Sequence, residues 1–159
     1  MNNDCHAGPP SAALDPDILQ QCSPQELAIA QLVDAVQSAS LDTLWILARA
    51  FIMPKQLPPD ELLHHISESR QMDVLRGCLL VLIHSNGKKV PRKFQLEAIL
   101  GPLDGRDVVV SSATGSGKTL IMILLLLLRP KEHAILIVPL KRLQHAQVSF
   151  MQHVIMYHS

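Results

Sequence analysis

Residues 108–128 read VVVSSATGSGKTLIMILLLLL, a β-branched run, a glycine-containing turn and a long apolar run. The unbroken run Val108-Val109-Val110 predicts a strand that is buried on both faces. The apolar run predicts a helix from about residue 117 to 128, and its all-round hydrophobicity is typical of a helix buried in a large α/β core. A second apolar run, residues 134–138, predicts another strand. Strand, helix and strand within about 35 residues predict a βαβ unit with parallel strands.

The turn of this unit ends in Gly-Lys-Thr. Polyphosphate carries dense negative charge, and binding it requires several backbone N–H groups aimed at one point. Glycines give the turn that freedom, the lysine at the helix start can reach the β- and γ-phosphates, and the threonine hydroxyl can ligate Mg²⁺. The pattern G-x-x-x-x-G-K-[ST] has glycine where this chain has Ser112, a position that mainly shapes the turn. The residues predicted to bind nucleotide here are Ala113, Thr114, Gly115, Ser116, Gly117, Lys118 and Thr119, with Thr119 also predicted to bind the metal.

The residues before this unit have a helical pattern. Ser23, Pro24 and Glu26 form a capping box, and apolar residues then recur on one face. Further helices are predicted to end before Pro54, to begin near Asp60, and to end at residues 85–87. Residues 1–22 contain glycine and several prolines with little periodicity, which predicts a flexible leader, and residues 23–86 are predicted to form a helical bundle.

Composition and charge exclude several classes of protein. Hydrophobic residues make up 48% of the 159 residues, which excludes wholesale disorder. Residues 1–85 hold four Lys/Arg against ten Asp/Glu, whereas residues 86–159 hold ten against four, so the C-terminal half suits phosphate-bearing partners. The three cysteines lie far apart without metal-ligand spacing, so reduced thiols in an intracellular protein are expected. The apolar run 120–128 is shorter than the roughly 20 residues that cross a bilayer, so no membrane span is predicted.

Three features in order resemble the opening of a superfamily 2 helicase motor. They are residues 91–99 (PRKFQLEAI), residues 105–109 (GRDVV) and the turn ATGSGKT. The resemblance implies an α/β fold, a partial P-loop NTPase (RecA-like) βαβ unit preceded by a small all-helical region, in which residues 87–159 are a partial helicase ATP-binding domain. It also implies ATP and Mg²⁺ as cofactors. Gln95 stands where these motors read the edge of adenine, a task that suits an amide because it offers a donor and an acceptor together.

Residues 138–143 (VPLKRL), with Gln147-Val148 after them, resemble helicase motif Ia in a form closest to the RecQ-like branch. In that branch the loop touches the nucleic-acid backbone. The resemblance therefore implies that Lys141 and Arg142 neutralise phosphates in a sequence-independent, salt-sensitive contact. DNA rather than RNA is the expected nucleic acid.

Glu132 is the only acidic residue after Thr119. Hydrolysis of ATP in this class uses one carboxylate to hold Mg²⁺ and another to activate water, so no catalytic residue is predicted. The resemblance implies the ATP-binding N-terminal portion of a RecQ-like, ATP-dependent DNA helicase, truncated before the Walker B motif and unable to hydrolyse ATP alone. Two alternatives stay open. One is a non-catalytic ATP-binding module whose helical region docks a protein partner, and the other is a fragment of a DEAD-box RNA helicase.

Overall fold

The computed structural model describes residues 24–132. The predicted leader and the predicted strand at residues 134–138 lie outside this range. The described residues form six α-helices and one 3₁₀ helix. The α-helices are α1 (Pro24–Ser38), α2 (Leu41–Phe51), α3 (Asp60–His64), α4 (Glu68–His84), α5 (Lys93–Leu103) and α6 (Lys118–Leu128), and the 3₁₀ helix is Pro54–Gln56. No helix within residues 24–132 combines the length and hydropathy that a bilayer crossing requires.

Local signals account for where these helices begin and end. The hydroxyl of Ser40 accepts a hydrogen bond from the Thr43 N–H (3.3 Å), and the hydroxyl of Ser67 accepts one from the Arg70 N–H (3.4 Å). Each bond satisfies a backbone donor that has no partner within the helix, and so starts α2 and α4. The predicted end of α4 is confirmed, because the chain leaves the helix through Asn86 (φ 51°) and Gly87 (φ 76°).

The core is built around α4. This helix packs against α1, α2 and α6, and α6 also packs against α5. One cluster of buried apolar residues extends from Val33 in α1 to Leu128 in α6. The largest fully buried side chains in it come from most of these helices: Leu44, Leu75, Leu80, Leu96, Ile99, Leu124 and Leu127. The helical region and the helix that follows the turn therefore share one core.

The predicted α/β fold is wrong for the described residues, because residues 24–132 contain no strand and hence no βαβ unit of the RecA-like kind. Residues 108–110 form neither a strand nor a helix, and Val109 is 96% exposed instead of buried on both faces. β-Branched residues favour extended backbone, but a strand forms only when a neighbour completes the ladder of hydrogen bonds. The apolar surface of α6, expected against a sheet, packs against α4 and α5.

A cluster of charged side chains ties α4 to the ends of α5 and α6. Asp73 is 5% exposed and accepts a hydrogen bond from Nη1 of Arg70 at 2.6 Å, while Nη2 of Arg129 lies 3.8 Å from the same carboxylate. Arg70 also donates through Nε to Asp104 at 2.7 Å and through Nη2 to the carbonyl of Leu103. A buried carboxylate is tolerated only when it is paired in this way.

Acid is expected to weaken the link between Arg70 and Asp104. The hydrogen bond from Arg70 lowers the pKa of Asp104 below its ordinary value of 3.8. Because the folded-state pKa is depressed, the contribution of this group is complete above the unfolded-state pKa and is lost as the pH falls through the folded-state pKa. Asp104→Asn should therefore lower the urea midpoint at pH 7 and reduce the further drop between pH 7 and pH 3. Asp107→Asn is the control, since Asp107 has no ion-pair partner within residues 24–132. Identical pH profiles for the two variants would contradict this assignment.

Candidate nucleotide-binding loop

Residues 111–117 form the turn that leads into α6. Gly115 (φ 80°) and Gly117 (φ 90°) both have left-handed backbone, a conformation that glycine adopts without steric cost. Gly117 is the residue immediately before the helix, and Lys118 is the first residue within it. The turn is therefore joined directly to the N-terminal end of α6, where unpaired N–H groups and the helix dipole favour negative charge.

Hydrogen bonds close the loop on itself. The hydroxyl groups of Ser112 and Ser116 lie 2.7 Å apart, and the N–H of Ser116 donates to the carbonyl of Ala113 at 3.2 Å. Ser112 occupies the position where the phosphate-binding pattern has glycine, and here its side chain links the two ends of the loop. The motif does not reveal this role, because it depends on a second serine four residues away.

The ammonium of Lys118 lies against the backbone at the start of the loop. Its Nζ donates to the carbonyl of Ser112 at 2.7 Å and to the carbonyl of Ala113 at 3.0 Å. An ammonium has three N–H groups, so these bonds fix its position and leave one donor for a ligand. The loop thus holds a positive charge against its own carbonyl oxygens, on the first residue of α6.

Gln95, on α5, is brought against the loop and is 3% exposed. Its Nε2 donates to the carbonyl of Gly117 at 2.9 Å, and its Oε1 accepts from the N–H of Arg92 at 2.8 Å. A Cβ added to Gly117 would lie 2.7 Å from Nε2, so the close approach requires glycine. Both ends of the amide are therefore bonded to backbone. To read adenine, the amide would have to exchange these bonds for the base.

A cavity of about 1060 Å³ opens beside the loop. It lies between Gly115–Gly117, the connection from α4 to α5, and the 3₁₀ helix, and no Asp or Glu is among its described lining residues. Basic side chains line it from two separate segments: Lys55 from the 3₁₀ helix, and Lys88, Lys89, Arg92 and Lys93 from the connection and the start of α5. We refer to this cavity as the cationic groove. No local pattern places Lys55 here, because it comes from the acidic half of the sequence.

The described residues fit phosphate better than they fit a metal held by protein alone. No group of three or more His, Cys, Asp or Glu within residues 24–132 could hold a metal ion. Thr119, half-buried in the first turn of α6, lines the cationic groove, so its hydroxyl could complete the coordination of a metal carried by phosphate.

Glu132 lies 3.7 Å from Nε of Arg129. Burial raises the pKa of the Cys78 thiol to about 12, which excludes thiolate chemistry there.

Comparison with known proteins gives one match. Residues 92–158 match the family model of the DEAD/DEAH box helicases. The matched segment contains Gln95 and the loop, together with Lys141 and Arg142, which lie outside the described residues. No characterised protein and no solved structure matches the chain. The match supports a helicase-related segment in this part of the chain.

Proposed function

We propose that the chain binds a nucleoside triphosphate, ATP with Mg²⁺, as the ATP-binding part of a helicase-related protein. One observation carries the proposal: a glycine turn leads directly into the N-terminal end of α6, and the first residue of that helix is Lys118, whose ammonium is held against the carbonyls of Ser112 and Ala113. This arrangement suits a triphosphate, because the N-terminal end of a helix and an ammonium both favour negative charge. The match of residues 92–158 to DEAD/DEAH box helicases supports ATP as the nucleotide.

Each predicted residue has a role in this proposal. The backbone of residues 113–117 surrounds the phosphates, Lys118 neutralises their charge, and Thr119 ligates Mg²⁺. Gln95 belongs to the site through its bond to the carbonyl of Gly117. Bound ATP would supply a transferable phosphoryl group, but the one carboxylate after Thr119 lies against Arg129. We therefore propose binding without hydrolysis by this chain alone.

The finer assignment is part of the same proposal. Residues 87–159 would form the ATP-binding part, and residues 23–86 the accompanying helical region. The form of residues 138–143 favours a RecQ-like motor acting on DNA, with Lys141 and Arg142 on the phosphate backbone.

A second candidate function is protein docking by the helical region. Ile46 and Phe51 on α2 are each 68% exposed, and Met53, just after the helix, is 70% exposed. Large apolar side chains that remain exposed are typical of interaction surfaces. ATP titration decides between the two functions, because docking alone predicts no nucleotide binding.

The nucleotide proposal is tested by titrating the chain with Mg²⁺-ATP in a calorimeter, using two matched glycine variants. Gly117→Ala adds a Cβ that would lie 2.7 Å from Nε2 of Gln95, whereas the Cβ of Gly115→Ala meets nothing within 4 Å. Both variants carry the strain of left-handed backbone, so their difference isolates the contact with Gln95. We expect Gly117→Ala to lose roughly tenfold more affinity than Gly115→Ala, a difference of about 1.4 kcal/mol.

Phosphate release should stay at background for every form of the chain, with or without DNA. The absence of ATP binding by the unmodified chain would reject the proposal. Equal affinities for the two glycine variants would remove Gln95 from the site.

A further inference from the structure

The outer face of α2 carries three exposed side chains in a line. Asp42, Ile46 and Arg49 are spaced four and three residues apart, so they lie on one face of the helix. All three are exposed, and Ile46 keeps 68% of its surface accessible. Leu44 and Ala48, on the opposite face, are fully buried in the core. The outer face therefore presents, in chain order, a negative charge, an apolar side chain and a positive charge.

The two charges on this face are available to a partner. Neither Asp42 nor Arg49 forms an ion pair within residues 24–132. The guanidinium of Arg49 lies 5.0 Å from the centre of the Trp45 ring, a cation–π contact that restricts the side chain. An arginine that is already held in place loses less conformational entropy when it pairs with a carboxylate.

The order of the charges is self-complementary when two copies of α2 run antiparallel. A two-fold axis near Ile46 brings the two Ile46 side chains together. The same axis places Asp42 of each copy opposite Arg49 of the other, because it lies midway between these two positions. A parallel pair would instead place like charges opposite each other. A two-fold contact closes on itself, so it gives a dimer and no larger assembly.

We infer that α2 joins two copies of this chain as an antiparallel, two-fold pair of helices centred near Ile46. The inference names the partner of the docking surface on α2, so it rests on the second candidate function and takes nothing from the nucleotide proposal. Asp42, Ile46 and Arg49 do not line the cationic groove, and they lie outside the segment that matches the helicase family.

The size of α2 determines how strong this dimer should be. The helix has 11 residues and is about 16 Å long, and Phe51 and Met53, which are 68% and 70% exposed, add apolar surface at its C-terminal end. One helix of this length buries less area than the roughly 1,200–2,000 Å² of a stable interface. We therefore expect a dissociation constant of about 10–100 µM, so association has to be measured up to about 500 µM.

Sedimentation equilibrium of the full chain tests the contact with Ile46→Lys and a matched control, Leu32→Lys. Leu32 is an exposed leucine on α1, with 54% of its surface accessible. Ile46→Lys places two like charges at the axis and should weaken association at least about tenfold, whereas Leu32→Lys should match the unmodified chain. Thermal melting confirms that both variants are folded, and both should bind Mg²⁺-ATP as the unmodified chain does.

A charge swap tests the antiparallel arrangement. Asp42→Arg alone and Arg49→Asp alone place like charges opposite each other in the dimer, so each should weaken association about tenfold. The double variant Asp42→Arg/Arg49→Asp should recover most of the affinity, and so should an equimolar mixture of the two single variants. Better helix stability cannot explain this recovery, because the double variant opposes the helix dipole at both ends of α2.

A chain that stays monomeric at the highest concentration would overturn the inference. Weaker association of Ile46→Lys without recovery in the double variant would also overturn it, because α2 would then be a docking surface without the antiparallel pairing. Failure of the unmodified chain to bind Mg²⁺-ATP would reject the nucleotide proposal alone.

Discussion

Lys118→Ala is expected to lower the affinity for Mg²⁺-ATP about 100-fold. The ammonium would donate to phosphate, and a hydrogen bond between charged groups contributes about 1.5–3 kcal/mol, where about 1.4 kcal/mol is tenfold in affinity. The same side chain also holds the carbonyls of Ser112 and Ala113 at 2.7 and 3.0 Å. Removing this side chain therefore removes the contact with the ligand and also the two hydrogen bonds that hold the start of the loop. Calorimetry with ATP and with inorganic tripolyphosphate measures the loss, and both ligands should weaken by a similar factor.

Two further variants separate charge from geometry. Lys118→Arg keeps a positive charge but replaces a compact ammonium with a planar guanidinium, so it should recover only part of the affinity. Lys131→Ala removes an exposed lysine outside the loop and should change nothing. If Lys118→Ala bound ATP as tightly as the unmodified chain, the loop could not be the nucleotide site, whatever its sequence resembles.

The helices could be predicted from the sequence because their signals are local. Pro54 and the Asn86-Gly87 pair mark where α2 and α4 must stop, and the spacing of apolar residues marks which face is buried. Leu44 and Ala48, four positions apart on α2, are both buried, as their spacing indicates. Information of this kind lies within one or two turns of the chain, where a single sequence is most informative.

Local signals could not show whether residues 108–110 form a strand. A run of three valines favours extended backbone, yet residues 108–110 form no strand. Whether an extended segment becomes a strand depends on a partner elsewhere in the chain. The local pattern also does not reveal the contact between Gly101 and Val108. The Cγ2 atom of Val108 occupies the space that a Cβ on Gly101 would need. The hydrophobicity of α6 was equally uninformative, because it suits burial against a sheet or against helices.

In the candidate site too, some residues can be predicted from a local motif, whereas other contacts depend on the fold. The glycines and Lys118 follow from a contiguous motif, and the structure shows the backbone conformation that such glycines permit. The bond from Gln95 to Gly117 joins residues 22 positions apart, and the place of Lys55 in the cationic groove depends on how the helical region packs. Neither contact has a signal in the local sequence. The adenine-reading role of Gln95 was implied by resemblance alone, and it stays a prediction.

The packing of α4 on α6 leads to a second large expected effect. Leu124 of α6 is fully buried, and a Cβ added to Gly77 of α4 would lie 3.0 Å from its Cδ2. Leu124→Ala should lower the free energy of unfolding by about 3 kcal/mol, through lost burial and the cavity left behind. Gly77→Ala alone should change it little, because the gain in helix propensity, about 1 kcal/mol, is offset by crowding against Leu124.

In the double variant the methyl group at position 77 has room. Gly77→Ala/Leu124→Ala should therefore be more stable than Leu124→Ala by about 1 kcal/mol, a non-additivity that reports direct contact. Urea unfolding of the four forms measures it, and Leu32→Ala, at a side chain that is 54% exposed, should combine additively with Gly77→Ala. Strict additivity at Gly77 and Leu124 would mean that α4 and α6 do not meet there. Because α6 begins at Lys118, the helical region would then no longer fix the position of the loop.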